Sequence, residues 1–201
     1  ENLANKQYNF VKDNKVKNVF LVAKWSLYTD GEYGNLAESG MYHLVPKRNA
    51  STENIIVTKN KTREYFQISL ENTIKKYQEL GANVFVLAQV PQQKVAAHLI
   101  YEKLYRLNIT NKLDSIIKKS VSKDDHLELQ AFNRGVISKL QKQLGFVYIN
   151  PDKAFCDDEK CYIGNAKTSS YYDRNHLSAA GSILLYELLI NKGKKYNISN
   201  C

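Results

Sequence analysis

The sequence at residues 81–91 is GANVFVLAQVP. Gly81 is the residue type that ends a helix in the left-handed conformation, and the apolar, β-branched run at residues 83–89 predicts a buried strand. Pro91 is expected to end that strand, because proline cannot donate a hydrogen bond to a sheet ladder. A helix stop followed at once by a buried strand indicates the second half of a helical crossover between parallel strands.

The segment upstream supplies the first half of this crossover. Residues 17–24 (KNVFLVAK) predict another buried strand, and residues 63–80 predict the connecting helix. The apolar positions of that helix recur at helical spacing and define one face: Phe66, Leu70, Ile74 and Tyr77.

The segment downstream predicts a second crossover. A helix is expected to begin at Ser122, which can cap it, and to end at Gly145 before a strand at residues 146–149 (FVYI). Further helices are predicted at residues 96–107, 112–119 and 177–192. Two strand–helix–strand crossovers predict an α/β fold, namely a three-layer α/β/α sandwich with a mostly parallel, flavodoxin-like sheet.

Composition limits the class of protein. The chain has 201 residues, of which 43% are hydrophobic, and a formal net charge of +9. This length and composition fit one globular domain, which we place at residues 17–193, with a loose connecting segment at 1–16 and a tail at 194–201. The positive charge is spread evenly and lacks a clustered basic face, so we expect no nucleic-acid partner, although affinity for an acidic glycan stays open.

Among the four histidines, His176 has the most informative context. Residues 172–178 read YDRNHLS, and Asp173 stands three residues before His176, a spacing at which a carboxylate can accept the imidazole Nδ1–H. The same spacing also occurs in an ordinary Asx turn at a helix start. His98 and His126 are expected to have surface or capping roles, and nothing near His43 pairs with it.

The segment from Asp173 onward resembles the last sequence block of the SGNH (GDSL-type) hydrolase superfamily, because His176 is followed by Leu-Ser and then by Ala-Gly before an apolar helix. Residues 19–25 (VFLVAKW), residues 81–91 and the Cys156–Cys161 segment are similar to SGNH domains fused to acyltransferase-3 membrane proteins. The resemblance covers residues 16–192. It implies a Ser-His-Asp triad with Asp173 and His176 as two of its members.

The sequence departs from that family in its nucleophile, since it contains no Gly-Asp-Ser. We expect the first strand, the nucleophile turn and the next helix to precede Glu1, and the chain by itself to be inactive. Ser26, at a strand end, is a remote alternative nucleophile, and Ser39 is weaker still. The strand end also lacks the usual Asn, so backbone N–H groups are the expected oxyanion donors, while Lys24 and Trp25 are expected to line the pocket. Trp25 has an equally good reading as a packing residue.

Two cysteines are informative about the redox compartment in which the protein folds. Cys156 and Cys161 are spaced for a small disulfide-closed hairpin, whereas a metal site would need two more ligands and only carboxylates stand nearby in the sequence. The family resemblance implies an oxidising compartment and therefore a structural disulfide. We expect no metal and no cofactor. Cys201 is either free or paired with a cysteine outside this chain.

Taken with the resemblance, the sequence predicts a domain on the periplasmic or extracellular face, tethered to the cytoplasmic membrane in the full-length protein. It would O-acetylate a cell-surface polysaccharide, such as a lipopolysaccharide O-antigen or a peptidoglycan-like glycan. The acyl donor would arrive through a membrane acyltransferase-3 domain. A carbohydrate esterase or deacetylase of the same fold is one alternative, and a non-catalytic glycan-binding module is another.

Overall fold

The computed structural model describes residues 3–31 and 58–193. Within these ranges the helices are α1 (Leu3–Asp13), α2 (Lys59–Glu79), α3 (Ala97–Arg106), α4 (Lys112–Lys119), α5 (Lys123–Leu144), α6 (Asp152–Phe155) and α7 (Ala179–Gly193). The strands are β1 (Asn18–Leu21), β2 (Asn83–Leu87), β3 (Val121–Ser122), β4 (Val147–Ile149) and β5 (Lys160–Cys161). A 3₁₀ turn, Trp25–Tyr28, follows β1.

The chain divides into two compact units. The described residues of the first unit are 3–31, 58–88 and 132–149, and those of the second are 89–131 and 150–193. Helix α5 contributes its first half to the second unit and its second half to the first. In the described residues, no helix is long and apolar enough to cross a membrane.

The first unit contains a parallel sheet in the order β1-β2-β4. Strand β2 is central, with Asn18 in register with Asn83 on one side and Phe85 with Val147 on the other. Apolar faces of α2 and α5 pack on the Val84 and Val86 side of the sheet. The parallel strands with helical crossovers confirm the α/β class that the sequence predicts.

Both helix stops predicted from glycine are present. Gly81 and Gly145 have φ values of +77° and +72°, a conformation that residues with a Cβ rarely adopt, and each comes just before a strand. Helix α2 begins four residues earlier than predicted, because the hydroxyl of Thr58 accepts the backbone N–H of Lys61 and caps it. The hydroxyl of Ser122 likewise accepts the backbone N–H of Asp125 at the start of α5.

The expectation of a loose connecting segment before Lys17 is wrong, because Leu3–Asp13 form a helix. Val11 on this helix is buried, and the ring of Tyr8 lies 6.3 Å from that of Tyr77 on α2. Together α1, β1 and α2 line an open apolar cavity of about 740 Å³. The tail at 194–201, including Cys201, lies outside the described residues, as do Ser39 and His43.

The second unit has its own apolar core beside a short antiparallel ribbon, in which Val121 of β3 pairs with Cys161 of β5. Helices α3 and α4 supply about half of the core, and α6 together with the chain between α6 and α7 supplies the rest. Its buried members are Ala97, Ile100, Leu104, Ile116, Phe155, Ile163 and Tyr171. This unit carries the Asp173–His176 turn.

A candidate acid–base site on the Asp173–His176 turn

Asp173 and His176 form a hydrogen-bonded pair within one turn. The Oδ2 atom of Asp173 lies 2.6 Å from Nδ1 of His176. The other carboxylate oxygen, Oδ1, accepts the backbone N–H groups of Asn175 (2.7 Å) and His176 (2.8 Å). The His176 side chain is 77% exposed, whereas that of Asp173 is 32% exposed. The pair therefore presents a solvent-facing imidazole whose orientation is set by a better protected carboxylate.

The environment of Asp173 keeps it ionised. Partial burial acts to raise the pKa of this carboxyl, but the two backbone N–H donors and the His176 imidazole outweigh it and lower the pKa to about 2. Asp173 is therefore a carboxylate at neutral pH. A carboxylate at this position holds the proton of His176 on Nδ1 and leaves Nε2 as the basic nitrogen.

Backbone contacts fix the turn to the rest of the second unit. Tyr171 and Leu177 form an antiparallel bridge at its base, and the backbone N–H of Tyr172 donates to the carbonyl of His176 (2.8 Å). From the segment that leads into α3, the N–H of Gln93 donates to Arg174 O (2.8 Å) and that of Ala97 to Asp173 O (3.2 Å). The turn is thus bound along its length by backbone hydrogen bonds.

Two of the residues that follow His176, Ser178 and Gly181, have structural roles. The Ser178 hydroxyl accepts the N–H of Gly181 (3.2 Å) at the start of α7 and donates to Ser169 O (2.6 Å). Gly181 passes close to the backbone of Ser170, so that a Cβ at residue 181 would lie 2.0 Å from the Ser170 carbonyl oxygen. These contacts join α7 to the chain just before the turn, which explains why these residue types follow His176.

The predicted disulfide is present. Cys156 and Cys161 are bonded, with Cys161 fully buried. The side-chain amide of Gln93 donates to Cys161 O (3.1 Å), while its carbonyl oxygen accepts the N–H of Val121 (3.1 Å). The side chain of Gln93 thus binds the β3–β5 ribbon, and its backbone N–H binds Arg174 in the turn, so that Gln93 connects the two. Its position just after a strand end was the only sequence signal for this role.

His126 differs from its expected surface or capping role. Its side chain is fully buried, and Nε2 lies 2.9 Å from Oδ1 of Asp152. One nitrogen of its ring also lies within 4.8 Å of both the Cys156 and Cys161 sulfurs, so the fold adds a histidine to the carboxylates that stand near the cysteines in the sequence. Because both sulfurs are spent in the disulfide, neither offers the thiolate that a zinc site requires.

Lys24, Trp25 and Ser26 belong to the first unit, at the carboxyl end of β1. The indole N–H of Trp25 donates to Leu87 O (2.7 Å), and its ring packs edge-on against Phe66. These contacts favour the packing role for Trp25. Ser26 is fully buried, and its carbonyl accepts the N–H groups of Thr29, Asp30 and Gly31. Burial of its hydroxyl speaks against attack on an external substrate, and Lys24 is half-buried.

Comparison with known families identifies the domain. A family model described as an SGNH domain fused to AT3 domains matches residues 1–191. The chain belongs to this family. The match includes α1, so the helix at the start of the chain is part of the SGNH domain as the family model defines it. The family predicted from the Asp173–His176 block and the strand segments is thereby confirmed.

The SGNH domain also resembles a solved structure, the periplasmic domain of the lipopolysaccharide acetyltransferase of Salmonella ser. Paratyphi A. The TM-score is 0.61 at 18% sequence identity, which shows a shared fold. The match covers 94% of this chain and 60% of that chain, so the SGNH domain here spans about three fifths of that structure's length. No curated protein sequence matches the chain.

Proposed function

We propose that this SGNH domain transfers acyl groups, acetyl above all, to hydroxyl groups of a cell-surface polysaccharide. The observation that carries the proposal is the Asp173–His176 pair, with its 2.6 Å contact and exposed imidazole. Membership of a family fused to AT3 domains supports a membrane acyltransferase domain as the acyl supplier. The fold shared with a lipopolysaccharide acetyltransferase supports a glycan acceptor.

The pair performs proton transfer in two half-reactions. First, His176 Nε2 takes the proton of a serine hydroxyl as its oxygen attacks the acyl carbonyl, and the imidazolium then protonates the departing group of the donor. Next, the same nitrogen takes the proton of a sugar hydroxyl as that oxygen attacks the acyl-serine, and it returns a proton to the serine oxygen. Asp173 stabilises the imidazolium at each stage and stays ionised throughout.

The serine in this scheme lies outside the 201 residues. Strand β1 supports this assignment, because among the described residues it pairs with β2 alone. The residues that line the apolar cavity include four consecutive ones at and just after β1, Val19 to Val22. Successive side chains of a strand point to opposite faces, so a cavity that meets four in a row runs along the strand edge. A further strand carrying the nucleophile would fit this edge.

The location proposed is the periplasm or outer cell face, with a tether to the cytoplasmic membrane through the AT3 domain. The Cys156–Cys161 disulfide supports this location, because such bonds persist in oxidising compartments. The solved relative in fold is a periplasmic domain.

The proposal is tested by replacing His176 in the complete natural protein and measuring O-acetyl groups on the cell-surface polysaccharide by NMR. His176→Ala is expected to abolish acetylation, with protein level unchanged. Gln143→Ala, at an exposed position of α5, is the matched control and is expected to acetylate normally. Normal acetylation by the His176 variant contradicts the proposal. If the wild-type protein instead releases free acetate and leaves the acceptor unmodified, that result indicates a deacetylase.

A second experiment tests the source of the serine. The 201-residue chain is expected to remain unlabelled by a fluorophosphonate probe, which phosphonylates activated serines, whereas the complete protein is expected to become labelled. Labelling of the isolated chain at Ser26 would overturn the assignment of the nucleophile to a segment outside this sequence.

A further inference from the structure

The turn that carries the Asp–His pair also carries an unusually exposed aromatic ring. Tyr172 directly precedes Asp173 and is 72% exposed, more than any other large hydrophobic residue in the described part of the chain. Its neighbour Tyr171 is fully buried in the core of the second unit. Tyr172 therefore places apolar surface in solvent directly beside the Asp173–His176 pair.

The backbone of Tyr172 is fixed on both sides, although its ring faces solvent. Its N–H donates to His176 O (2.8 Å), and its carbonyl oxygen lies 3.2 Å from Nδ1 of His98, the ring nitrogen placed to donate to it. The ring of His98 lies beside that of Tyr172, with 6.3 Å between centroids and 36° between planes. His98 stands on α3, so two elements hold the position from which the Tyr172 ring projects.

The chemistry of such a ring suits a carbohydrate. A pyranose has an apolar face of C–H groups and a rim of hydroxyls, and a tyrosine ring offers a flat apolar face with a polar tip. A tyrosine also loses little conformational entropy on binding, because its side chain has few rotatable bonds. The fixed backbone lowers that cost further, since less of the site must be ordered when ligand arrives.

We propose that Tyr172, with His98 beside it, binds a pyranose ring of the acceptor glycan by stacking, and so presents a sugar hydroxyl to His176. This inference rests on the proposed function, because it assigns an acceptor position to the same turn. It predicts selection for sugars that have one unobstructed C–H face. Tyr172 acts as a binding residue and takes no proton in the reaction.

Binding is tested with the 201-residue chain by NMR titration. The probes are maltotetraose, chitotetraose and the de-O-acetylated polysaccharide of Salmonella ser. Paratyphi A lipopolysaccharide. At least one is expected to bind saturably and to shift the amide signals of Tyr172, His98 and His176. Tyr172→Ala is expected to weaken that binding roughly tenfold, and Tyr172→Trp is expected to retain it. Tyr186→Ala removes another exposed ring, on α7 and 62% exposed, and is expected to bind as the wild type does.

Three results would overturn the inference: no binding of any probe, equal binding by Tyr172→Ala, or shifts confined to residues away from the turn. The acetylation assay with His176→Ala separates this inference from the proposed function. An inactive His176 variant combined with normal binding by Tyr172→Ala removes only the stacking role. An active His176 variant removes the catalytic proposal, whatever the binding data show.

Discussion

Gly181 and Ser170 touch backbone to backbone, and no side chain can be inserted between them. A Cβ at residue 181 would lie 2.0 Å from the carbonyl oxygen of Ser170 and 2.9 Å from its carbonyl carbon. Since Ser170 also accepts the backbone N–H of Ser178 (3.0 Å), this contact holds both ends of the chain that forms the Asp173–His176 turn. The contact therefore couples the placement of α7 to the placement of the imidazole.

Replacement of Gly181 by alanine is expected to destabilise the domain by about 1–3 kcal/mol, because backbone must move to admit the methyl group. Thermal unfolding measures the loss. Gly135→Ala is the matched control, since Gly135 lies within α5 and a Cβ there meets nothing within 4 Å. That control is expected to raise stability by up to about 1 kcal/mol through helix propensity. Equal melting temperatures for wild type and Gly181→Ala would refute the close contact.

Asp173→Asn tests the orientation of the imidazole. The amide cannot hold the Nδ1–H tautomer of His176 or stabilise its cation, so acyl transfer by the complete protein is expected to fall by about 10³-fold or more. The rate of acceptor acetylation is the measurement. Asp158→Asn makes the same chemical change at an exposed position and is expected to keep the wild-type rate. A loss below tenfold in Asp173→Asn would argue against a triad.

The lowered pKa of Asp173 also predicts how stability depends on pH. Its pKa falls from an ordinary 3.8 to about 2 in the folded state, so the stability that its ionised form contributes is fully present above pH 3.8. That contribution is lost as the pH falls toward 2, because the folded state then binds the proton as well. The difference in free energy of unfolding between wild type and Asp173→Asn is therefore expected to shrink between pH 4 and pH 2. Urea unfolding across this range measures it, and a difference that stays constant would show that the carboxyl has an ordinary pKa.

The Cys156–Cys161 disulfide predicts how many thiols react in the unreduced chain, and it predicts a modest contribution to the free energy of unfolding. In a Cys201→Ser background, the denatured, unreduced chain is expected to show no reactive thiol, and reduction is expected to release those of Cys156 and Cys161. Reduction is also expected to lower the free energy of unfolding by about 2 kcal/mol, since the closed loop is short. Two reactive thiols before reduction would show that the bond does not form.

Features that depend on neighbouring residues were predictable from the sequence. The Asp173–His176 contact spans three residues, the Gly81 and Gly145 stops rest on local backbone conformation, and the Ser122 cap lies within one turn. In contrast, His126 looks like a helix-start residue until Asp152, 26 positions away, is placed beside it. The β3–β5 ribbon, with two residues in each strand, is too short for any periodicity to reveal it.

The role of Gln93 was hidden for the same reason. Its hydrogen-bond partners are Val121, Cys161 and Arg174, which lie on three separate segments. Nothing in the residues around Gln93, which stands two positions after Pro91, indicates partners on those segments. Burial of a polar side chain is decided by long-range packing, which the sequence alone does not show.

The confinement of Asp173 and His176 to one short turn affects how accurately the groups of the proposed triad must be assembled. When a base and its orienting carboxylate come from distant segments, thermal motion can separate them, and each must be positioned independently relative to the nucleophile. Here the two groups travel as one rigid piece, held by local hydrogen bonds. Motion elsewhere in the protein therefore leaves the internal geometry of the pair intact. Under the proposed function, the one alignment that remains to be made is that of this piece with the attacking serine.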